Sequence, residues 1–181
     1  KAAAYRGHAD LFAATMESQS YYPQVKVPVL MLTATNDFHG TVDQAFRCMS
    51  LLPHKDWRVS LKLHYNHNLG PEQWLLLNLW FDKYLKGLPV EIPRTAAAKM
   101  VPADDRRSVQ MEVNPDSPDR LRSLRIFYSL DPNPQTRFWK EATASRRGAA
   151  WTAKLPLHEG LPLFAFADCT YPLGTERQSF E

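Results

Sequence analysis

Residues 27–40 read VPVLMLTATNDFHG, an apolar run that ends on an acid. The run contains aliphatic and β-branched residues without polar alternation, which is typical of a strand covered on both faces in a parallel sheet. Pro28 stands near its start, where a strand tolerates proline. The sequence therefore predicts a buried parallel strand that places Asp37 just beyond its carboxyl end. We expect this carboxylate to have a partner elsewhere in the chain.

The next three segments continue an alternation of strands and helices. Residues 41–52, TVDQAFRCMSLL, place their apolar side chains on one helical face and are closed by Pro53. Residues 56–65, DWRVSLKLHY, alternate apolar and polar side chains and predict a strand. Residues 70–87 begin with Gly-Pro and stop at Lys-Gly, which are the start and stop signals of a helix. The order strand, helix, strand, helix predicts an α/β layer with parallel strands.

Two histidines follow the second of these strands. His64 and His67 lie in LHYNHNLGPEQW, residues 63–74. In an open parallel sheet, catalytic groups gather outside the carboxyl ends of the strands, so we expect Asp37 and an imidazole to lie within hydrogen-bonding reach. A carboxylate on one ring nitrogen fixes the tautomer and stabilises the imidazolium, and the other nitrogen can then act as a base.

The quoted strand–loop segments resemble the last two strand–loop–helix units of an α/β-hydrolase. They are similar to the dienelactone-hydrolase and acetyl-xylan-esterase-like branch, and to the PhoPQ-activated pathogenicity-related proteins. In such hydrolases the chain order is nucleophile, acid, histidine. The resemblance therefore implies a Ser-Asp-His triad with Asp37 as the acid and His67 as the histidine. It also implies a carboxylic-ester hydrolase that uses no cofactor and acts on a small-molecule ester or an acylated carbohydrate.

The nucleophile of such a triad is missing from the printed sequence. A hydrolase of this kind needs a G-x-S-x-G elbow, and none of the seven glycines stands two residues from a serine or cysteine. No upstream strands are present to supply an oxyanion hole. We therefore expect the nucleophile in an N-terminal half of the hydrolase domain that precedes Lys1. The chain would supply two of the three triad members and be inactive alone.

The pattern of alternating strands and helices ends after Gly87. We expect residues 1–90 to be the C-terminal strands and helices of a hydrolase domain and residues 91–106, which show little periodicity, to be a linker. Residues 107–181 are expected to form a small all-β, sandwich-like accessory domain, because short strand patterns alternate there with Pro/Gly-rich turns. The predicted strands are SVQMEV, LRSLRIFYSL, TRFWKEATA, AAWTAKLPL and LPLFAFADCTYPL. The predicted fold class is α/β, as the C-terminal fragment of a hydrolase sheet followed by this β domain.

Each candidate site residue also has a structural interpretation. Asp37 could be a turn-forming residue satisfied by local amides, and His67 could be a loop-packing residue. His64 is predicted to be structural or supporting, and His39 to face solvent or to support the site from outside. Asp43 is an alternative acid, but we expect it to stabilise the amides at the start of a helix.

Two alternative functions compete with the hydrolase hypothesis. A metal-dependent hydrolase would use His64, His67 and Asp37 as ligands of zinc or iron. The two histidines would lie on an extended loop and not on one helix face, so their spacing is weak evidence for a metal site. A non-enzymatic β module on a pseudoenzyme scaffold would bind a carbohydrate or a protein partner. Its sugar-stacking platform would be made of aromatic side chains of the β domain, namely Phe138, Trp139 and Trp151.

Composition excludes several other classes. The chain has 181 residues, 44% of them hydrophobic and 23% charged, with a net charge of +3, which is typical of a globular protein. Basic residues form no concentrated stripe, so no nucleic-acid partner is expected. No apolar run approaches the ~20 residues of a membrane span. Cys48 and Cys169 show neither metal nor disulfide spacing and are expected to be packed, so the compartment stays open, with periplasmic and secreted locations as alternatives.

Overall fold

The computed structural model describes residues 7–104 and 107–172 and the backbone of residues 179–180. The helices are α1 (Ala9–Thr15), α2 (Val42–Ser50) and α3 (Pro71–Tyr84), with 3-10 turns at Ser18–Ser20 and Tyr22–Gln24. The strands are β1 (Val29–Ala34), β2 (Trp57–Lys62), β3 (Ala97–Pro102), β4 (Ser108–Asn114), β5 (Ser123–Ser129), β6 (Lys140–Ala142), β7 (Ala144–Arg147), β8 (Ala150–Pro156), β9 (Phe164–Pro172) and β10 (Ser179–Phe180). None of these helices combines the length and the apolar character needed to cross a membrane.

Strands β1 and β2 pair in parallel, with Val29 opposite Trp57 and Ala34 opposite Lys62. The chain between them forms α2, and the chain after β2 forms α3, so the predicted order of strand, helix, strand, helix is present. Side chains of β1 pack against the buried Leu76 of α3. Among the described residues, the sheet of the α/β layer consists of these two parallel strands. The wider sheet of a hydrolase remains part of a proposal.

A buried glutamine fixes the start of α3 on the two parallel strands. Gln73 is only 1% exposed. Its amide nitrogen donates to the carbonyl oxygens of Thr33, at 2.8 Å, and of Ser60, at 2.9 Å. Its side-chain oxygen accepts from the backbone N–H of Gly70 at 2.9 Å. The bond to Gly70 satisfies a donor at the start of α3. Because the same side chain also bonds β1 and β2, it holds the loop that carries His67 close to the carboxyl ends of these strands.

The rest of the regular structure is mostly antiparallel β. One four-stranded sheet has the order β3-β4-β8-β7 and the other the order β10-β9-β5-β6. The two sheets share one hydrophobic core, to which the first contributes Val113 and Leu155 and the second Leu124 and Ile126. Alternating burial along β4 and β8 shows that one face of each strand points into this core. An all-β unit therefore follows the α/β part.

The structure differs in two details from the segments expected for this β-rich part. The expected linker 91–106 contains strand β3, which pairs antiparallel with β4; residues 105 and 106 lie outside the described ranges. All six residues of β3 are exposed, so the strand has no buried face to produce the hydrophobic alternation that sequence patterns detect. The single strand predicted for residues 136–144 is instead divided between β6 and β7, which belong to different sheets.

Arg137 joins the β-rich part to the α/β part. Its guanidinium is fully buried and donates two hydrogen bonds to the carboxylate of Asp43, with N–O distances of 2.9 and 3.1 Å. A third bond runs from its Nε to the carbonyl oxygen of Asp131 at 2.9 Å, and the ring of Phe164 lies 3.5 Å away. Asp43 is in the first turn of α2 as predicted, but its oxygens accept from Arg137 and not from helix-end amides.

Removing the carboxylate of this pair should cost more than removing its arginine. We expect Asp43→Ala to lower the free energy of unfolding by about 3 kcal/mol or more, because it leaves a buried guanidinium without its counter-charge. Arg137→Met should cost less, since the side chain of Asp43 is 43% exposed and can be solvated. Adding Arg137→Met to Asp43→Ala should therefore recover part of the loss. Urea denaturation of the three variants measures these differences.

The matched control is Asp119→Ala, which removes an exposed carboxylate. Its free energy of unfolding should stay within about 0.5 kcal/mol of the unsubstituted chain. Equal losses in Asp43→Ala and Asp119→Ala would contradict the role given to the Arg137–Asp43 pair.

Candidate active site

The loop after β1 holds the carboxylate of Asp37 in a fixed place. Asp37 is 6% exposed, and its Oδ1 accepts from the backbone N–H groups of His39, at 2.7 Å, and Gly40, at 2.9 Å. The hydroxyl of Thr33 donates to the carbonyl oxygen of Gly40 at 2.9 Å and closes the loop onto the strand. The interpretation of Asp37 as a turn-forming residue bonded to local amides therefore applies to its Oδ1.

The imidazole of His67 contacts the same carboxylate. His67 Nδ1 lies 3.0 Å from Asp37 Oδ2 and 3.2 Å from Oδ1. The side chain of His67 is 58% exposed, whereas that of Asp37 is 8% exposed. The opposite ring nitrogen, Nε2, makes no hydrogen bond to any other residue that the structure describes. The two residues predicted as acid and histidine are thus brought together, with the acid buried and the imidazole open to solvent.

The two loops meet because the pairing of β1 and β2 continues beyond the strands. The N–H of Thr35 donates to the carbonyl oxygen of Lys62 at 3.0 Å, and the N–H of Asn36 to that of Tyr65 at 3.1 Å. The Thr35 hydroxyl accepts from the N–H of His64 at 2.8 Å, where the chain turns with a positive φ of 56°. This turn lets the backbone continue toward His67 beside the loop of Asp37.

Competing effects set the pKa of Asp37. Burial alone raises it, but the N–H of Gly40, the ring of His67 and the N–H of His39 stabilise the carboxylate. Together they lower the pKa of Asp37 below its ordinary value. The carboxylate is therefore ionised at neutral pH, which is the state that can orient an imidazole through Nδ1.

His64 has a different role from His67. Its Nε2 accepts from the backbone N–H of Trp139 at 3.2 Å, and its ring stacks on Phe138 with the centroids 5.1 Å apart. His64 therefore docks a loop of the β-rich part, in agreement with the expected structural role, and does not contact Asp37.

Asn36 makes a second connection between this loop and the site. Its side-chain amide donates to the carbonyl oxygens of Arg137, at 2.7 Å, and Gln135, at 3.3 Å. The hydroxyl of Thr35 donates to the Asn36 oxygen at 2.8 Å and fixes its orientation. The Asn36-Asp37 pair at the end of the strand is thus explained by two partners, one in the β-rich part and one in the loop of His67.

Phe38 and His39 line the approach to His67. The ring of Phe38 lies 5.3 Å from that of His67, and the ring of His39 lies edge-on to His67 at 4.9 Å. Both side chains are exposed, as expected for His39. Phe38 was not predicted as a site residue, although its place between Asp37 and His39 was a usable signal.

The alternative metal site is not assembled. His64 Nε2 is bonded to Trp139, whereas His67 is bonded to Asp37. Across residues 7–104 and 107–172, no group of three or more His, Cys, Asp or Glu side chains could hold a metal ion.

The three aromatic side chains proposed as a sugar platform do not form one. Trp139 is 3% exposed and belongs to a buried cluster, and Trp151 packs against the core between the two sheets. Phe138 is 65% exposed but lies on His64. The three rings therefore do not share an exposed face.

Comparison of the chain with protein-family models, with curated proteins and with solved structures gives no match in any of the three. The geometry of Asp37 and His67 is therefore the main ground on which a function can be proposed.

The bonds of Asp37 predict a pH-dependent contribution to stability. At pH 7 we expect Asp37→Asn to lower the free energy of unfolding by about 1–2 kcal/mol, because charge-assisted bonds become neutral ones. Since folding lowers the pKa of Asp37, this contribution is present above about pH 4, near the pKa of an unfolded Asp, and is lost as the pH falls through the folded pKa. Urea denaturation at pH 7, 4 and 3 should show the difference shrinking.

The exposed carboxylate of Asp119 again provides the control. Asp119→Asn should change the free energy of unfolding at pH 7 by no more than about 0.5 kcal/mol. A loss in Asp37→Asn that stays the same size from pH 7 to pH 3 would be inconsistent with a stabilised Asp37 carboxylate.

Proposed function

We propose that the chain is the C-terminal portion of a serine α/β-hydrolase that acts on carboxylic esters, and that it supplies the acid and the histidine of the triad. The observation that supports this best is the 3.0 Å contact between Asp37 Oδ2 and His67 Nδ1. The two residues lie in loops that follow adjacent parallel strands. The acid precedes the histidine in the chain, as it does in α/β-hydrolases.

In the proposed reaction His67 moves protons between the nucleophile and the leaving group. Nε2 of His67 takes the proton of a serine hydroxyl while its oxygen adds to the ester carbonyl carbon. Asp37 stabilises the imidazolium through Nδ1–H. His67 then gives the proton to the departing alcohol oxygen, which leaves an acyl-enzyme. Water then adds to the acyl-enzyme with the same two proton transfers by His67, which releases the acid and restores the serine hydroxyl. Each cycle therefore converts one ester and one water into one acid and one alcohol.

The proposal includes a nucleophile elbow and an oxyanion hole on an N-terminal half of the hydrolase domain. Within the described residues, β1 has a strand partner on one edge only, namely β2. In the proposal, the N-terminal half would join by pairing a further parallel strand with the other edge. The substrate would be a small-molecule ester or an acylated carbohydrate, and the reaction requires no cofactor.

The test is ester hydrolysis by the full-length protein. We expect His67→Ala to lower kcat/KM for p-nitrophenyl acetate by about 10³-fold or more, because both proton transfers lose their carrier. Since the side chain of His67 is 58% exposed, the thermal unfolding temperature should change little. The 181-residue chain alone should be inactive.

The control is His158→Ala, which removes another exposed histidine from the turn after β8. This variant should keep its activity within about twofold. Normal turnover in His67→Ala, or ester hydrolysis by the 181-residue chain alone, would refute the proposed function.

A further inference from the structure

Phe38 is an exposed aromatic residue that lies beside the candidate active site and outside the hydrophobic core. It is 48% exposed and belongs to none of the hydrophobic clusters of the described residues. The centroid of its ring lies 4.2 Å from that of His39 and 5.3 Å from that of His67. A single exposed phenylalanine is ordinary on a protein surface, but this one stands beside the imidazole proposed to transfer protons.

The loop after β1 holds the backbone of Phe38 in place on both sides. Asp37 Oδ1 accepts from the backbone N–H groups of His39 and Gly40 at 2.7 and 2.9 Å, so the hydrogen-bonded loop closes around Phe38. The hydroxyl of Thr33 donates to the carbonyl oxygen of Gly40 at 2.9 Å and ties this loop to the strand. Because the backbone is already ordered, a ligand that packs on the Phe38 ring would lose little binding free energy to ordering the loop.

The proposed chemistry decides which part of an ester would meet this ring. Asp37 Oδ2 lies 3.0 Å from Nδ1 of His67, so Nε2 is the nitrogen that gives a proton to the departing alcohol oxygen. The alcohol part of the ester therefore has to lie beside the imidazole, whereas the carbonyl oxygen of the acyl part lies in the oxyanion hole. A ring that stands next to His67 is placed to contact the alcohol part.

We infer that Phe38, together with the ring of His39, forms a subsite for the leaving alcohol, and that the substrates are esters of alcohols that carry an aromatic ring. This inference rests on the proposed hydrolase function. The ring of the alcohol packs on Phe38 in an offset or edge-to-face arrangement, and its apolar surface is removed from water. An ester of a small alkyl alcohol makes none of these contacts and is a poorer substrate.

Two isomeric esters test this subsite on the full-length protein. Benzyl acetate carries its ring on the alcohol, whereas methyl phenylacetate, which has the same atoms, carries its ring on the acyl group. We expect Phe38→Ala to lower the ratio of kcat/KM for benzyl acetate to kcat/KM for methyl phenylacetate by about fivefold or more, because the ring contact is made by the alcohol part. Both values are measured on one sample, so the ratio does not depend on the fraction of the variant that folds.

Two further variants accompany Phe38→Ala. Phe38→Tyr keeps an aromatic ring and should hold the ratio within about twofold of the unsubstituted protein. The matched control is Phe81→Ala, which removes a phenylalanine of similar exposure, 44%, from α3. This variant should also hold the ratio within about twofold, because it takes nothing from the surroundings of His67.

The outcomes separate this inference from the hydrolase proposal. An unchanged ratio in Phe38→Ala, or the same change of the ratio in Phe38→Ala and Phe81→Ala, would overturn the subsite and leave the hydrolase proposal standing. Hydrolysis of p-nitrophenyl acetate without hydrolysis of benzyl acetate would overturn the subsite as well. A full-length protein that hydrolyses none of the three esters would refute the hydrolase proposal, and the subsite with it.

Discussion

The guanidinium of Arg137 carries the contact on which the two parts of the chain depend. It is fully buried, and it reaches across 94 residues of sequence to bond the carboxylate of Asp43 in α2 with both of its terminal nitrogens. An ion pair of this kind contributes little net stability compared with apolar packing, but loss of its carboxylate leaves a buried guanidinium without a counter-charge. In the observed docking, the carboxylate of Asp43 satisfies the two terminal nitrogens and ties α2 to the β-rich part.

That docking also shapes the candidate active site. The segment around Arg137 accepts a hydrogen bond from Asn36 and, through the N–H of Trp139, donates one to His64. Asn36 and His64 lie in the two loops that bring Asp37 and His67 together. The β-rich part is therefore a support for these loops.

The features predicted from the sequence were those that depend on local pattern. Apolar runs and helix signals located β1, α2, β2 and α3, and the rule for parallel strands predicted that Asp37 would meet an imidazole. The resemblance to α/β-hydrolases selected His67 as that imidazole. Strand β3 was missed because it is exposed on all its residues. The partnership of Arg137 with Asp43 was not predicted, because a bond between residues so distant in sequence leaves no local pattern. The catalytic roles of Asp37 and His67 remain predictions.

Among the described residues β1 has one strand partner, β2, and this has a consequence for handling the isolated chain. From Val29 to Leu32 this strand is apolar and carries no charged side chain, and an apolar strand edge without a pairing strand is a template for self-association. The isolated chain can therefore self-associate through this strand. Introducing a lysine at Leu30 to block edge pairing would be a poor remedy, because the side chain of Leu30 also packs in the cluster of Leu76.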